Sequence, residues 1–86
     1  MGKYSKLREQ ILSGAGDSNI AFLELCTLLK RLGFEERTRG SHHIFTYQDI
    51  PEILNLQPKG TKAKRYQVKQ VRRVLVKHLS GENDVD

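Results

Sequence analysis

One cysteine, Cys26, is present in 86 residues, so no internal disulfide can form and no cysteine-rich zinc site can be assembled. That fits a reducing cytoplasm. No apolar run approaches the ~20 residues that cross a bilayer. Near the start, Leu7, Ile11 and Leu12 are broken up by charges, which argues against a signal-peptide core. A nucleophile-elbow pattern is missing, as is the Gly-x-x-x-x-Gly-Lys loop that cradles nucleotide triphosphates. There is no internal repeat, low-complexity tract or linker. The hydrophobic fraction, 37%, is low, and a chain of this size buries only roughly 60% of its unfolded surface. These limits leave room for one small domain over residues 1–86.

The most consequential scarcity is of acids. None falls within residues 59–77, where Lys59, Lys62, Lys64, Arg65, Lys69, Arg72, Arg73 and Lys77 lie. The rest of the chain has seven bases against ten acids, so the net charge of +5 belongs to the C-terminal third. A segment of one sign suits a polyanionic partner, nucleic acid or an acidic protein. The competing reading is a solvated helix face.

Periodicity gives the layout. Tyr4, Leu7 and Ile11 make one helical stripe over residues 3–13, closed by Gly14 and Gly16. Asp17, Ser18 and Asn19 are N-cap types, which predicts a second helix starting near Asn19. Its apolar face is Phe22, Leu25, Cys26, Leu29 and Leu32, and Gly33 stops it. Residues 34–39 read as a half-exposed strand, Gly40-Ser41 as a turn and residues 42–47 as a second strand. Pro51 puts residues 48–51 in a loop. A third strand follows at residues 53–56, then a basic loop punctuated by Pro58 and Gly60. The last helix, residues 67–79, has Val68, Val71, Val74, Leu75 and Leu79 on its apolar face. Lys69, Arg73 and Lys77, with Arg72 beside them, form a cationic stripe away from the core. Residues 81–86 read as a frayed polar tail. The α-α-β-β-β-α order predicts an α+β fold, a three-stranded antiparallel sheet with helices on one face. That is the double-stranded-RNA-binding-like layout plus an N-terminal helix.

Chemistry concentrates in Gly40-Ser41-His42-His43-Ile44-Phe45. Imidazole exchanges a proton near neutral pH, and a glycine turn lets a substrate backbone approach. His42 shares a strand face with Ile44 and Thr46, His43 with Phe45 and Tyr47, so parity alone leaves both open. Ser41 reads as a turn residue whose hydroxyl bonds locally or touches a phosphate. Metal chelation is disfavoured, because adjacent strand residues point apart and no acid neighbours His42 in sequence. Cys26 reads as core packing. One reaction suits a basic groove and a single imidazole: RNA cleavage without a metal or other cofactor. The 2′-hydroxyl attacks phosphorus, histidine serves as base and acid, and cations stabilise the developing charge. A non-catalytic RNA-binding module and a domain docking an acidic protein are the competing functions.

Asn19-Ile20, Leu32-Gly33-Phe34 and Arg39-Gly40-Ser41-His42-His43-Ile44-Phe45 resemble the HicA toxins of bacterial HicAB toxin–antitoxin systems. Leu56-Gln57-Pro58 and Tyr66-Gln67-Val68-Lys69-Gln70-Val71-Arg72 resemble a subset of that family. The resemblance covers residues 18–79 and leaves 1–17 as an N-terminal extension. It implies mRNA interferase activity in the cytoplasm and neutralisation by a HicB-like antitoxin that covers the active site. It also singles out His42 as catalytic. Where many members carry Pro-x-His, this chain has Pro58-Lys59, which makes Lys59 an electrostatic substitute. The RNA-binding residues expected with His42 are Gly40, Ser41, Lys59, Lys62, Lys64, Arg65, Lys69, Arg72 and Arg73, with no metal ligand.

Overall fold

The computed structural model describes residues 2–79 and 85–86. It is α+β: three helices cover one face of a three-stranded antiparallel sheet, the double-stranded-RNA-binding-like layout. Helix α1 spans Lys3–Ser13 and buries Leu7 and Ile11. Helix α2 spans Phe22–Leu32 and buries the expected stripe together with Leu28. Strands β1 (Glu35–Arg39), β2 (His42–Tyr47) and β3 (Ile50–Leu56) pair in that order. Helix α3 spans Arg65–His78. Among the described residues no helix is long and apolar enough to cross a membrane.

The sheet has two unlike faces, set by the alternation of strand side chains. Phe45, Leu54 and Leu56 point into the core, each at most 3% exposed. His43 and Tyr47 lie on the same side, with rings edge-on to Phe22 and Phe34 at 4.9 and 5.0 Å between centroids. Arg37, Arg39, His42, Thr46, Ile53 and Asn55 fall on the opposite, uncovered face.

Five local expectations are corrected. The cap types Asp17–Asn19 form a single 3₁₀ turn, and α2 begins at Phe22 without a side-chain cap. Residues 20–22 are instead held extended: Ala63 N donates to Ile20 O at 2.8 Å and Phe22 N to Thr61 O at 2.9 Å. A backbone carbonyl thus takes one of the helix-end amides that lack an intrahelical partner. The basic loop carries a small hairpin, β4 (Pro58–Lys59) and β5 (Lys62–Ala63), and Ala21 bridges to Lys62. Pro51 is inside β3, whose edge position in the sheet is where proline is tolerated. Of the expected frayed tail, residues 81–84 lie outside the described residues. Val85 is 2% exposed, and Asp86 Oδ1 accepts Tyr4 N at 2.7 Å, capping α1 from the far end of the chain.

The fifth correction is Arg72. It leaves the cationic stripe and turns inward to Asp17, which is 9% exposed. Nη1 and Nη2 donate to the two carboxylate oxygens at 3.0 and 2.7 Å, and Nη1 also reaches Ile11 O at 3.1 Å. One guanidinium therefore joins α3, the 3₁₀ turn and the end of α1. Arg72→Met strands a buried carboxylate, and urea denaturation is expected to show a loss of about 3 kcal/mol or more. Asp17→Leu added to Arg72→Met is expected to restore part of it. A double variant less stable than Arg72→Met would contradict this assignment.

Under the sheet, His43 Nδ1 and Glu36 Oε2 are 2.7 Å apart, and Lys30 Nζ is 3.3 Å from Glu36 Oε1. The hydrogen bond to His43 holds the Glu36 carboxyl below its ordinary 4.5; burial opposes this and Lys30 assists it. With the native value depressed, the unfolded chain binds more protons in the acid range. The contribution is complete above the unfolded value, about 4.3, and fades as pH falls through the lower native one. Glu36→Gln is therefore expected to melt below wild type at pH 6, with the gap closing at pH 3. A gap that widens in acid would refute the pairing.

Candidate functional site

The turn that presents His42 depends on Gly40, whose φ of 59° lies in the left-handed region. A Cβ there would meet nothing within 4 Å, so the need is conformational and the space above the turn is open. His42 follows as the first residue of β2, exposed on the uncovered sheet face. Its Nδ1 is 3.0 Å from Asn55 Oδ1. A carboxamide oxygen only accepts, so Nδ1 is the donor in this contact, and Nε2 is the ring nitrogen it does not use. No hydrogen bond occupies Nε2 among the described residues. His43 is the opposite case, half-buried, bonded to Glu36 and packed on Phe22.

Ser41 is tied into the structure through Gln57. Gln57 Nε2 donates to Ser41 Oγ at 2.8 Å, and Lys64 Nζ donates to Gln57 Oε1 at 3.4 Å. An open, shallow cavity of about 320 Å³ includes His42 in its lining, with Asn55, Gln57 and Ile53 on the sheet side and Tyr66, Gln67 and Gln70 on the α3 side.

The expected cations separate into groups. Lys59 and Lys62 face each other across the β4–β5 hairpin. Lys64 connects to the Ser41 turn through Gln57. Arg65 and Lys69 are exposed one turn apart on α3, and Arg73 lines a groove with Gln70 and Lys77 beside β3. Lys77 is paired with Glu52 at 3.2 Å, and Arg72 serves the interior. Two cations closer to His42 escaped the count of the C-terminal third. Arg39 is the cross-strand partner of His42 and Arg37 that of Ile44, both exposed. The signal for them was available: Arg37 and Arg39 alternate along a strand that pairs antiparallel across a two-residue turn.

The structure also gathers donors that the sequence left apart. Ligand atoms of Cys26, Glu36 and His43 all lie within 4.8 Å of one another. Their bonds are already directed elsewhere. His43 and Glu36 hold each other, Glu36 also meets Lys30, and burial pushes the Cys26 thiol up to about 12. A thiol held protonated beside a closed ion pair belongs to the core rather than to a ligand set.

An exposed imidazole with Nε2 unpartnered, a cross-strand arginine and a glycine-turn approach form one open site on the outer sheet face, bordered along β3 by α3. A family model described as HicA toxin of bacterial toxin-antitoxin matches residues 23–78, from the first turn of α2 to the end of α3. No curated protein and no solved structure matches the chain. The match takes in the turn, His42, β3 and the whole of α3, leaves α1 outside it and covers well over half of the sequence; the chain belongs to the HicA toxin family.

Proposed function

We propose that this toxin is an endoribonuclease that cleaves RNA through His42, and that an antitoxin of the HicB kind restrains it by covering the same face. The observation that carries the reading is the His42–Asn55 contact, because it engages Nδ1 and leaves Nε2 of an exposed ring without a protein partner among the described residues. Nε2 removes the proton of an RNA 2′-hydroxyl, and that oxygen attacks the adjacent phosphorus. The bond from phosphorus to the 5′ oxygen breaks. The products are a 2′,3′-cyclic phosphate and a 5′-hydroxyl, the leaving oxygen taking a proton that the imidazolium can return. Arg39, across the ladder from His42, supports the charge that gathers on the phosphoryl oxygens. Lys59, Lys62, Lys64, Arg65, Lys69 and Arg73 hold the flanking backbone and add little sequence preference.

His42→Ala is expected to keep its circular dichroism spectrum and its affinity for RNA while losing about 10²–10⁴-fold in cleavage. The assay is labelled RNA with EDTA present. The same assay tests the non-catalytic alternative, which predicts binding without fragments. DNA, lacking the 2′-hydroxyl, is expected to stay intact. Undiminished cleavage by His42→Ala would remove His42 from the mechanism.

Asn55 acts through His42 and is a positioning residue. Asn55→Asp puts a carboxylate beside the ring, which favours the imidazolium. The base must be neutral to act, so the acid limb of the rate profile is expected to move to higher pH. An unmoved limb in Asn55→Asp would show that the contact does not set the protonation of His42.

A further inference from the structure

The cavity beside His42 differs in chemistry from every basic surface around it. Its lining contains no lysine, arginine, aspartate or glutamate. The neighbouring grooves do: Arg37 and Arg39 lie on one side, Arg73 and Lys77 on the other. Phosphate therefore has its cations outside the cavity, and what enters is uncharged and polar. Carboxamides supply the polarity, and they divide by occupation. Gln67 is 4% exposed, and both ends of its amide are bonded to backbone, to Asn55 O in β3 and to Gln57 N just after it. Gln57 is spent on Ser41 and Lys64. Asn55 Nδ2 and the whole Gln70 amide have no bonding partner among the described residues. At the rim stands Tyr66, 58% exposed and among the few large hydrophobic residues left to solvent. Its hydroxyl accepts from Gln67 Nε2 at 3.4 Å, and its ring lines the cavity.

A flat aromatic surface, a paired donor and acceptor from free amides and phosphate-binding cations just outside make a fit for one nucleotide. The geometry points to a subsite in which one unpaired nucleobase stacks on Tyr66 and presents its edge to Gln70 and Asn55, with its phosphate beside Arg39. A base within a duplex is stacked and paired, so it cannot enter; the substrate is a single-stranded segment of RNA. The subsite rests on the ribonuclease reading for its purpose. By placing the ribose next to His42, it gives cleavage a position along the strand that the flanking cations do not define.

The test is fluorescence anisotropy in EDTA with a labelled 2′-O-methyl oligoribonucleotide, which cannot be cut, offered single-stranded and as a duplex. Tyr66→Ala is expected to weaken single-strand binding by about 5- to 150-fold, the range found for one stacked base, and to leave duplex binding unchanged. Tyr66→Phe keeps the ring and is expected to bind as wild type does. Gln70→Ala is expected to weaken the single strand only. Single-strand affinity unchanged in Tyr66→Ala would overturn the subsite. So would equal losses on single strand and duplex, or a wild type that binds no single strand. Wild-type cleavage of unmodified RNA is measured in parallel. Cleavage with Tyr66-independent binding sinks the subsite alone, and Tyr66-dependent binding without cleavage sinks the ribonuclease reading alone.

Discussion

The site depends on a buried amide at its base. Gln67, in the first turn of α3, accepts a hydrogen bond from Gln57 N at 3.0 Å and donates one to Asn55 O at 3.3 Å. Its side chain thus offers β3 the donor and acceptor that another strand would offer. It does so along the edge that the three-stranded sheet leaves unpaired. Both residues it holds belong to the site. Asn55 orients His42, and Gln57 restrains Ser41 in the turn before it. The adjacent residue on the helix, Tyr66, is brought to the same cavity. A buried amide satisfied at both ends is rigid, because leaving either end unmatched costs about 1–3 kcal/mol. Among the described residues, no buried side-chain nitrogen or oxygen lacks a partner.

Charge is divided along the same line. Arg72 and Lys30 are bound to Asp17 and Glu36, both of low exposure, and Lys77 is bound to Glu52. These pairs fasten helices to the sheet and to the turn after α1. Arg37, Arg39, Lys59, Lys62, Arg65, Lys69 and Arg73 have no acidic partner among the described residues. An isolated surface pair contributes little to stability, so uncompensated cations cost the fold little. They give a polyanion an attractive surface around His42 and α3.

Most of the architecture could be read from period and punctuation, because those patterns report which face meets the core. Residues 3–13 and 42–47 have the predicted boundaries, and the α2 stripe is the buried one. What escaped was decided by partners far away in sequence. Asp17 looked like a helix cap but is held by Arg72, and Arg72 looked like part of a cationic stripe until Asp17 turned it inward. The start of α2 was displaced by backbone bonds to residues 61–63. His42 and His43 could not be told apart by alternation, since each had apolar neighbours. The helices covering Phe45 assign His43 to the inside, and His42 follows to the outside. Arg39 was missed because charge was counted along the chain rather than across the ladder.

One sheet serves two purposes because its faces are chemically independent. The inner face carries the buried apolar side chains on which stability rests, each worth about 1.5–3 kcal/mol when fully buried. The outer face carries His42, Arg39 and Asn55 in water, where their removal opens no cavity. If the proposed function holds, substitutions on the outer face change chemistry with little loss of fold, and inner-face substitutions do the reverse. Gln67 joins the two regimes: it is as buried as the core, yet the groups it bonds are those that aim the imidazole. A change there would act on stability and on His42 geometry together. The side chain that appears in neither the basic stripe nor the histidine turn is thus the one that makes the site a fixed arrangement instead of a set of exposed residues.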